Sequence, residues 1–278
     1  MRSLVYHTAA NQLRTTQIIN VKNESPTVKT FTFKDKECIK AKPGQFLMLW
    51  IPGVDEIPLS ILDANKNGAV SVAVKNVGEA TRALHSRKVG STIGVRGPFG
   101  NSFTMKGRRV LMVGGGTGVA PLLFLTKKLV SKTAKTTFVL GAKTDNELLF
   151  RTELEKLQTK KVQLITSTED GSCGLMGLCT ESVEQVLAKE AEFDMIYACG
   201  PEEMILKVFE LAEKHGIGLQ ASLERLMRCA IGICGSCTLD KYRVCTDGPV
   251  FTSRQLRGLK HEFGFSKRDQ CGRRIPLD

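Results

Sequence analysis

The stretch Val110-Leu111-Met112-Val113-Gly114-Gly115-Gly116-Thr117-Gly118 decides the fold class of this chain. It is a short apolar run that ends in glycines, and the helical pattern Ala120–Val130 follows it. A glycine-rich turn between a strand and a helix offers backbone amides and a helix N-terminus to a phosphate. The G-x-G-x-x-G fingerprint is not met, because Val119 stands where its last glycine is required. A dinucleotide site is therefore predicted, with a purely structural role for the glycines as the alternative.

Downstream of this stretch, strand and helix patterns alternate. The predicted strands are Thr137–Leu140, Val162–Ser167 and Met195–Ala198, and the predicted helices are Glu147–Leu157 and Glu181–Ala188. Strict alternation predicts a parallel sheet with helices on its faces. Gly141 and the turn Cys199-Gly200-Pro201 close two of these strands at the carboxyl edge, where open parallel sheets bind ligands.

Upstream, the pattern is one of short β-rich runs separated by Gly, Pro and Asn. These runs are Gln17–Val21, Val28–Phe33, Gln45–Trp50, Ala69–Val74 and Thr92–Val95. Many short strands without intervening helices predict a small antiparallel barrel.

The last part of the chain is marked by cysteines with the spacing Cys229-x4-Cys234-x2-Cys237, followed by Cys245. This is the plant-type [2Fe–2S] spacing. Gly232 and Gly235 permit the tight turns that a cluster loop needs, and Ile231 and Ile233 are expected to shield the cluster from water. A structural zinc site with four thiolates is the alternative. The segment after Ser222 is short for a core of its own, so we expect a cofactor to organise it.

Composition limits the remaining possibilities. The 278 residues suffice for about two domains with a small appendix, and no apolar run approaches the length of a membrane span. The first ten residues contain no apolar block, which makes the cytoplasm the default location. Nine cysteines in a reducing compartment are ligands, redox groups or buried residues rather than a disulfide frame. We expect Cys38, Cys173, Cys179 and Cys271 to be free thiols.

The net charge of +12 favours anionic ligands. Nucleic acid is disfavoured as that ligand, because the few aromatic residues are not interleaved with the basic ones. Thr168-Glu169-Asp170-Gly171 follows the third strand of the predicted sheet and is acidic where a 2′-phosphate would need a cation. The acidic turn favours NAD over NADP as the ligand. The alternative is that these acidic residues only cap the turn and do not contact a ligand.

Taken in order, the motifs resemble those of ferredoxin-reductase-type flavoproteins. Within that group the chain is most similar to the electron-transfer subunits of two-subunit, NAD-linked dihydroorotate dehydrogenases. The residues that carry the resemblance are Pro43–Phe46, Ile51–Gly53, Pro58–Ser60, Val74–Gly78 with Thr81, Arg96–Gly100, Ser222–Glu224, and Asp247–Phe251.

The resemblance implies a multidomain β and α/β protein. Residues 1–105 would form an antiparallel β-barrel that binds FAD, residues 106–222 a parallel α/β domain that binds NAD(H), and residues 223–278 a small C-terminal iron–sulfur segment.

It also implies the residues that hold each cofactor. The FAD set is Pro58, Leu59, Ser60, Val74, Lys75, Val77, Gly78 and Thr81. The dinucleotide set is Gly114, Gly115, Gly116, Thr117, Gly118, Gly200 and Pro201. The cluster set is Cys229, Cys234, Cys237 and Cys245. Cys199 would approach the nicotinamide as a catalytic residue, with simple burial as an equal alternative.

One position departs from the family pattern. Ile57 stands where an arginine is expected before Pro58, so a charge near the flavin phosphates is missing. FAD would then depend on Ser60, the amides of residues 78–81 and Lys75.

The function implied is electron relay in pyrimidine biosynthesis. Electrons would pass between NAD(H) and a flavin-containing catalytic dihydroorotate dehydrogenase subunit, in a hetero-oligomer without a membrane span. A basic surface including Arg225, Arg228, Lys241 and Arg243 is expected to steer that partner. One rival is the small subunit of another flavin complex, such as a ferredoxin:NADP oxidoreductase or a cytoplasmic hydrogenase. The other is a zinc-bearing, non-catalytic nucleotide-binding module.

Overall fold

The structure is a computed structural model that describes residues 8–65, 67–131, 134–158, 161–189, 192–259, 261–269 and 271–277. Residues 1–7, part of the N-terminal segment considered above, lie outside these ranges. In the described residues, no helix is both long and apolar enough to cross a membrane.

The N-terminal part of the chain forms the predicted barrel. Its strands are β1 (Arg14–Asn23), β2 (Val28–Lys34), β3 (Phe46–Ile51), β4 (Asp55–Ala64), β5 (Ala69–Lys75) and β6 (Thr92–Phe99). They close in the order β1-β2-β5-β4-β3-β6, and every neighbouring pair is antiparallel. Alternate apolar side chains such as Phe31, Phe33, Val70 and Val72 fill the interior.

Two elements of this barrel region are missing from the sequence-based prediction. Strand β4 contains Pro58, which lacks an amide hydrogen and therefore weakens a strand pattern. The second element is the short helix α2 (Glu79–His85), which lies between β5 and β6. A single helical turn, α1 (Thr8–Asn11), precedes β1. The predicted FAD motif Pro58-Leu59-Ser60 is therefore part of a strand, paired with Met48, Leu47 and Phe46.

After the barrel, the chain forms a mostly parallel sheet. Its strands are β7 (Arg109–Gly115), β8 (Lys135–Ala142), β9 (Val162–Thr168), β10 (Leu175–Met176), β11 (Met195–Cys199) and β12 (Gly218–Ser222). The order is β10-β9-β8-β7-β11-β12, and all these neighbours are parallel. The predicted parallel sheet with alternating helices is confirmed.

Helices cover both faces of the sheet: α3 (Val119–Val130), α4 (Arg151–Lys156), α5 (Cys179–Lys189) and α6 (Glu202–Lys214). The pleat of β7 divides the core, because Val110 and Met112 pack with α3 while Leu111 and Val113 pack with α5 and α6. Helix α4 begins later than the expected Glu147, because Phe150 adopts a left-handed conformation (φ 58°) that interrupts a helix.

The C-terminal segment contains β13 (Thr238–Leu239), β14 (Tyr242–Arg243), α7 (Val244–Asp247), β15 (Val250–Thr252), α8 (Ser253–Leu256), β16 (Ser266–Arg268) and β17 (Arg274–Pro276). Strand β15 joins the large sheet antiparallel to β12. Leu239, Val244 and Phe251 belong to the same core as Val113 of β7. The segment therefore shares the hydrophobic core of the sheet, whereas the sequence led us to expect a cofactor as its organiser.

A loop after the barrel fastens the barrel to this C-terminal segment. The Asn101 side chain donates to the carbonyls of Asp247 (2.9 Å) and Val250 (2.8 Å) and accepts from the Val250 amide (2.9 Å). The Gly100 Cα lies so close to Pro249 that an added Cβ would be 2.6 Å from its Cδ. The barrel, the sheet and the C-terminal segment consequently meet where Gly100 and Asn101 contact the Asp247–Val250 stretch.

Candidate functional site

The order of the sheet reverses between β7 and β11, and their carboxyl ends form a crevice. The chain leaves β7 toward β8 and β9 on one side, and returns to β11 on the other. Ligands bind at such switch points in open α/β sheets. Two turns line the crevice: the glycine-rich turn after Gly114 and the turn Cys199-Gly200-Pro201.

These two turns approach each other very closely. A Cβ on Gly118 would lie 2.4 Å from the Cys199 carbonyl carbon, and one on Gly115 would lie 3.3 Å from Pro201. Glycine at position 118 is therefore required by the approach of two backbones, whereas a Cβ on Gly115 would be crowded by side-chain atoms of Met204 (3.2 Å) and Pro201. Gly118 itself has an ordinary helical conformation (φ −63°), so the requirement is steric.

A cavity of about 310 Å³ opens at this crevice, and we call it the switch-point cavity. Gly115, Gly116, Thr117, Gly118, Gly200 and Pro201 of the predicted dinucleotide set line it, together with Glu202, Ile205, Lys267 and Leu277. Gly114 lies below the cavity in the core, next to Leu122 and Phe138.

A second cavity, of about 340 Å³, lies between the barrel and the sheet, and we call it the barrel cavity. Pro58, Leu59, Ser60, Val74, Lys75, Val77 and Thr81 of the predicted FAD set line it. Gly78 is the one member of that set that is not among its lining residues. Phe46, Ile57 and Met227 add apolar surface suited to a flat ring system.

The two cavities adjoin each other. They share five lining residues, drawn from the barrel, the glycine-rich turn and the C-terminal segment: Lys75, Thr117, Leu223, Glu224 and Arg225. A ligand in one cavity would therefore contact a ligand in the other, which is the arrangement that direct transfer between two cofactors requires.

The helix α2 start is less available to phosphate than the sequence suggested. The Thr81 hydroxyl oxygen accepts hydrogen bonds from the amides of Val77 and Gly78, both at 2.9 Å. The Gly78 amide, one of the expected phosphate donors, is thus used within the turn. Because Ile57 is apolar, Lys75 is the cation that the barrel itself supplies to this cavity.

Charged residues of the C-terminal segment also face the cavities. Arg225 forms a bidentate pair with Glu202, and its side chain is only 2% exposed. Arg225 is therefore not part of a basic docking surface, contrary to the expectation from the sequence. Glu224 lies at an open wall of the cleft and is exposed. Desolvation by the surrounding protein, followed by the nearby charge of Glu202, raises the pKa of its carboxyl.

Cys199 is buried in the core and is not among the described residues that line either cavity. Burial, together with the charge of Glu224, raises the pKa of its thiol, and a hydrogen bond with Ser222 only partly offsets this. The thiol is therefore protonated and sheltered. Its predicted contact with a nicotinamide stays a prediction. The other two residues of that turn, Gly200 and Pro201, line the switch-point cavity together with the glycine-rich turn.

Three cysteines of the predicted cluster, Cys229, Cys234 and Cys237, lie on a loop that starts at the barrel cavity, and the fourth, Cys245, lies in α7. Met227 lines that cavity, and Cys229 follows two residues later. Gly232 (φ 80°) and Gly235 (φ 74°) adopt left-handed conformations that turn the loop back on itself. Cys229 is half-buried and Cys234 is exposed, whereas Cys237 and Cys245 are buried.

The cysteines interact as two pairs. The Cys234 amide donates to the Cys229 sulfur (3.4 Å), and the Cys245 amide donates to the Cys237 sulfur (3.5 Å). Among the described residues, no three His, Cys, Asp or Glu side chains are grouped around a point for one ion. Two pairs fit a two-iron cluster, which takes two protein ligands on each iron, better than a single tetrahedral zinc.

The electrostatics of the loop favour the thiolate form at Cys234 and Cys237. Burial raises the pKa of the Cys234 thiol, but hydrogen bonds from Ser236 and Cys229 outweigh it and lower the pKa to about 6. A hydrogen bond from Cys245 lowers the pKa of Cys237 to about 7, and the pKa of Cys245 rises because it holds the shared proton. Thiolates are the form that binds metal.

The isoleucines of this loop differ in exposure. Ile231 packs against the core, as expected of a shield. Ile233 is 77% exposed beside Cys234, and its role as a shield of the cluster stays a prediction.

Comparison with known proteins identifies the family. Three family models match: the oxidoreductase FAD-binding domain at residues 15–103, the oxidoreductase NAD-binding domain at 112–209, and the iron–sulfur cluster binding domain of dihydroorotate dehydrogenase B at 224–257. A probable dihydroorotate dehydrogenase B (NAD(+)), electron transfer subunit, from Methanocaldococcus jannaschii is 45% identical over 261 residues, or 93% of this chain and 96% of that protein. The chain belongs to this family of electron transfer subunits.

Other relatives agree. The protein of the same description from Pyrococcus furiosus is 38% identical over 95% of this chain and 100% of its own length. A solved structure of an NADH-dependent reduced ferredoxin-NADP oxidoreductase is 29% identical, covers 88% of this chain and 91% of that one, and has a TM-score of 0.79. A ferredoxin reductase of carbazole 1,9a-dioxygenase, at 21% identity and a TM-score of 0.65, covers 74% of this chain and 66% of that one and shares the fold.

Several lining residues were not foreseen from the sequence. Glu202 and Ile205 could have been found, because they begin the helix that follows Cys199-Gly200-Pro201. Lys267 and Leu277 lie far along the chain, and no motif marks them.

Proposed function

We propose that this chain is the electron transfer subunit of an NAD-linked dihydroorotate dehydrogenase. In this proposal the barrel cavity holds the flavin of FAD, the switch-point cavity holds NAD(H), and the pairs Cys229/Cys234 and Cys237/Cys245 hold a [2Fe–2S] cluster. The observation that carries the proposal is the adjacency of the three places. The two cavities share five lining residues, and the loop that bears Cys229 begins at Met227 in the wall of the barrel cavity.

The three groups, when bound, would supply two-electron hydride transfer between nicotinamide and flavin and one-electron transfer at the cluster. The chain's own contribution is placement. Gly116 lines the switch-point cavity, and a Cβ there would meet no atom within 4 Å, so the glycine-rich turn is open toward a dinucleotide at this position. Phe46, Leu59 and Met227 give the barrel cavity an apolar wall, which would shield one side of a bound flavin ring from solvent.

Lys75 has a central part in this proposal. It lines both cavities, and the amides of Val77 and Gly78 already bind Thr81. With Ile57 in place of a cation, we assign to Lys75 the charge that stabilises the flavin phosphates. A single lysine acts as a point charge and does not require the fixed geometry of an arginine fork.

The route to the partner runs through the cysteine loop. Cys234 and Ile233 are exposed, so this tip would face the flavin-containing catalytic subunit in a hetero-oligomer. Arg228 and the Lys241–Arg243 turn lie on the same C-terminal segment and are exposed, which supports electrostatic steering of that subunit.

We place the activity in the cytoplasm. Nine unpaired cysteines, of which four are assigned to an iron–sulfur cluster, suit a reducing compartment. We also assign NAD rather than NADP. The acidic turn after β9 supports this, although Asp170 also has a local role because it accepts from the Ser172 amide (3.0 Å).

The test has two parts. The anaerobically purified protein is assayed for iron, zinc and flavin, and its visible spectrum is recorded before and after addition of NADH. Flavin bands with broad iron–sulfur absorption, both bleached by NADH, are expected. A colourless protein that contains zinc would overturn the proposal at the cluster.

The second part addresses the partner. Co-expression with a catalytic dihydroorotate dehydrogenase subunit should give a stable complex that reduces NAD⁺ with dihydroorotate, while neither subunit does so alone. The 29%-identical oxidoreductase structure keeps another flavin complex as the second candidate. Reduction of NAD⁺ by a ferredoxin, without any effect of dihydroorotate, would favour that candidate.

A further inference from the structure

The C-terminal hairpin is a wall of the switch-point cavity. Strands β16 and β17 pair through Ser266 with Pro276, Lys267 with Ile275, and Arg268 with Arg274. Lys267 from the first strand and Leu277 after the second line the same cavity as the glycine-rich turn. The hairpin lies outside residues 15–103, 112–209 and 224–257, the three ranges that match family models.

The hairpin is held against the start of α6 by buried polar contacts. The Gly264 amide donates to Glu202 (2.8 Å), and Arg225, the partner of Glu202, donates to the Ser266 carbonyl (3.5 Å). Glu202 and Arg225 both line the switch-point cavity. The entry to the hairpin is therefore tied to residues of the cavity wall.

A buried carboxylate provides a further anchor. Glu262 is 2% exposed and accepts from the Asp240 amide (2.5 Å). Arg274 of β17 lies 3.7 Å from its second oxygen, and Arg268 of β16 lies 4.0 Å from the first. Each strand of the hairpin thus places an arginine within ion-pair distance of one buried carboxylate, and Lys267 lies in β16 directly before Arg268.

The charge balance of the cavity explains what Lys267 contributes. Glu202 and Arg225 neutralise each other as a pair, and Glu224 adds a carboxylate. A dinucleotide brings two further negative charges on its pyrophosphate. Lys75 and Lys267 are the lysines among the lining residues, and they come from the barrel and from the C-terminal hairpin respectively.

We propose that Lys267 is a binding residue for the pyrophosphate of the nicotinamide dinucleotide, presented by the C-terminal hairpin as the outer wall of its site. The inference rests on the proposed function, and it assigns the nucleotide site to three parts of the chain: the glycine-rich turn, the start of α6 and the hairpin. Leu277 would cover the adjacent apolar part of the ligand.

The test measures binding of ADP-ribose to the oxidised holoprotein by calorimetry, because this probe has the pyrophosphate but no redox chemistry. Lys267→Met keeps the length of the side chain and removes its charge. Loss of one charge-assisted contact at a half-buried position should weaken binding roughly fivefold to tenfold. Lys267→Arg should restore most of the affinity. Arg273→Met, an exposed residue of the same hairpin, is the matched control and should bind as the unmodified protein does.

Affinity is also measured at several salt concentrations. The unmodified protein should lose affinity with salt more steeply than Lys267→Met, because one fewer charge is screened in the variant. FAD and iron contents serve as the check on folding, and Lys267→Gln replaces the methionine variant if they fall.

Equal affinity and equal salt dependence for Lys267→Met and the unmodified protein would overturn the inference and leave the proposed function intact. Failure of the unmodified protein to bind ADP-ribose would refute the nucleotide site itself, and with it both proposals.

Discussion

Replacement of Gly118 by alanine tests whether the crevice between β7 and β11 is as close as described. The added Cβ would lie 2.4 Å from the carbonyl carbon of Cys199, 2.5 Å from its oxygen and 2.5 Å from the Gly200 nitrogen. Normal contacts begin about 1 Å farther out. The obstructing atoms are backbone at the end of a buried strand, so no side chain can rotate away.

The expected cost follows from this geometry. Overpacking by one methyl group typically costs about 1–3 kcal/mol, and the rigid neighbours place Gly118→Ala at the upper end, about 3 kcal/mol. For a protein of this size that lowers Tm by roughly 6–12 °C. Because the movement separates the two turns that line the switch-point cavity, ADP-ribose affinity should fall by about tenfold or more.

Gly116→Ala in the same turn is the matched comparison. A Cβ there has no atom within 4 Å, but the backbone is left-handed (φ 54°), so the cost is conformational, about 1 kcal/mol. Thermal unfolding of both variants in the FAD-bound state checks the prediction. If Gly118→Ala is no less stable than Gly116→Ala, the steric account of the crevice is wrong.

Three further predictions concern the flavin, the cluster and the barrel. Lys75→Met should weaken FAD binding about tenfold, and Ile57→Arg should tighten it, as measured by flavin fluorescence during dilution. Unchanged affinities would show that the flavin phosphates do not lie beside these two residues. Cys237→Ser should lose iron and the iron–sulfur absorption but keep FAD, whereas Cys271→Ser on the hairpin should keep both. Burial raises the pKa of the Asp35 carboxyl, but hydrogen bonds from the Arg14 side chain and the Cys38 amide outweigh burial and lower this pKa below its usual 3.8. Its contribution to stability is therefore full above that value and lost as the pH falls through the lower folded pKa. Asp35→Asn should flatten the decline of Tm as the pH falls below about 4, and an unchanged slope there would contradict this.

The adjacency of cavities and cysteine loop also gives the C-terminal segment a second role. Besides carrying the cysteines, its residues Leu223, Glu224 and Arg225 form the wall shared by both cavities. Mutations in this wall are expected to affect flavin and nucleotide binding together, because one short stretch faces both ligands.

Local patterns in the sequence determined the elements and the ligand types. The apolar run before Gly114 and the strict alternation of strands and helices predicted the parallel sheet, because hydrophobic periodicity reflects which faces are buried. The spacing of Cys229, Cys234 and Cys237 likewise predicted a cluster loop, since such a loop is short enough for its ligands to be neighbours in sequence.

What the sequence could not give depends on contacts between distant residues. Strand β15 joins the sheet, Arg225 is buried against Glu202, and the hairpin with Lys267 closes a cavity whose glycines lie about 150 residues earlier. Cys199 stands in a motif that suggested chemistry, yet tertiary packing buries it, because side-chain direction at a strand end is set by the pleat and by the neighbouring strands. The sequence alone thus determined which cofactors the chain is suited to bind. The tertiary structure decided which residues meet around them, because burial and charge pairing arise only when separate segments pack together.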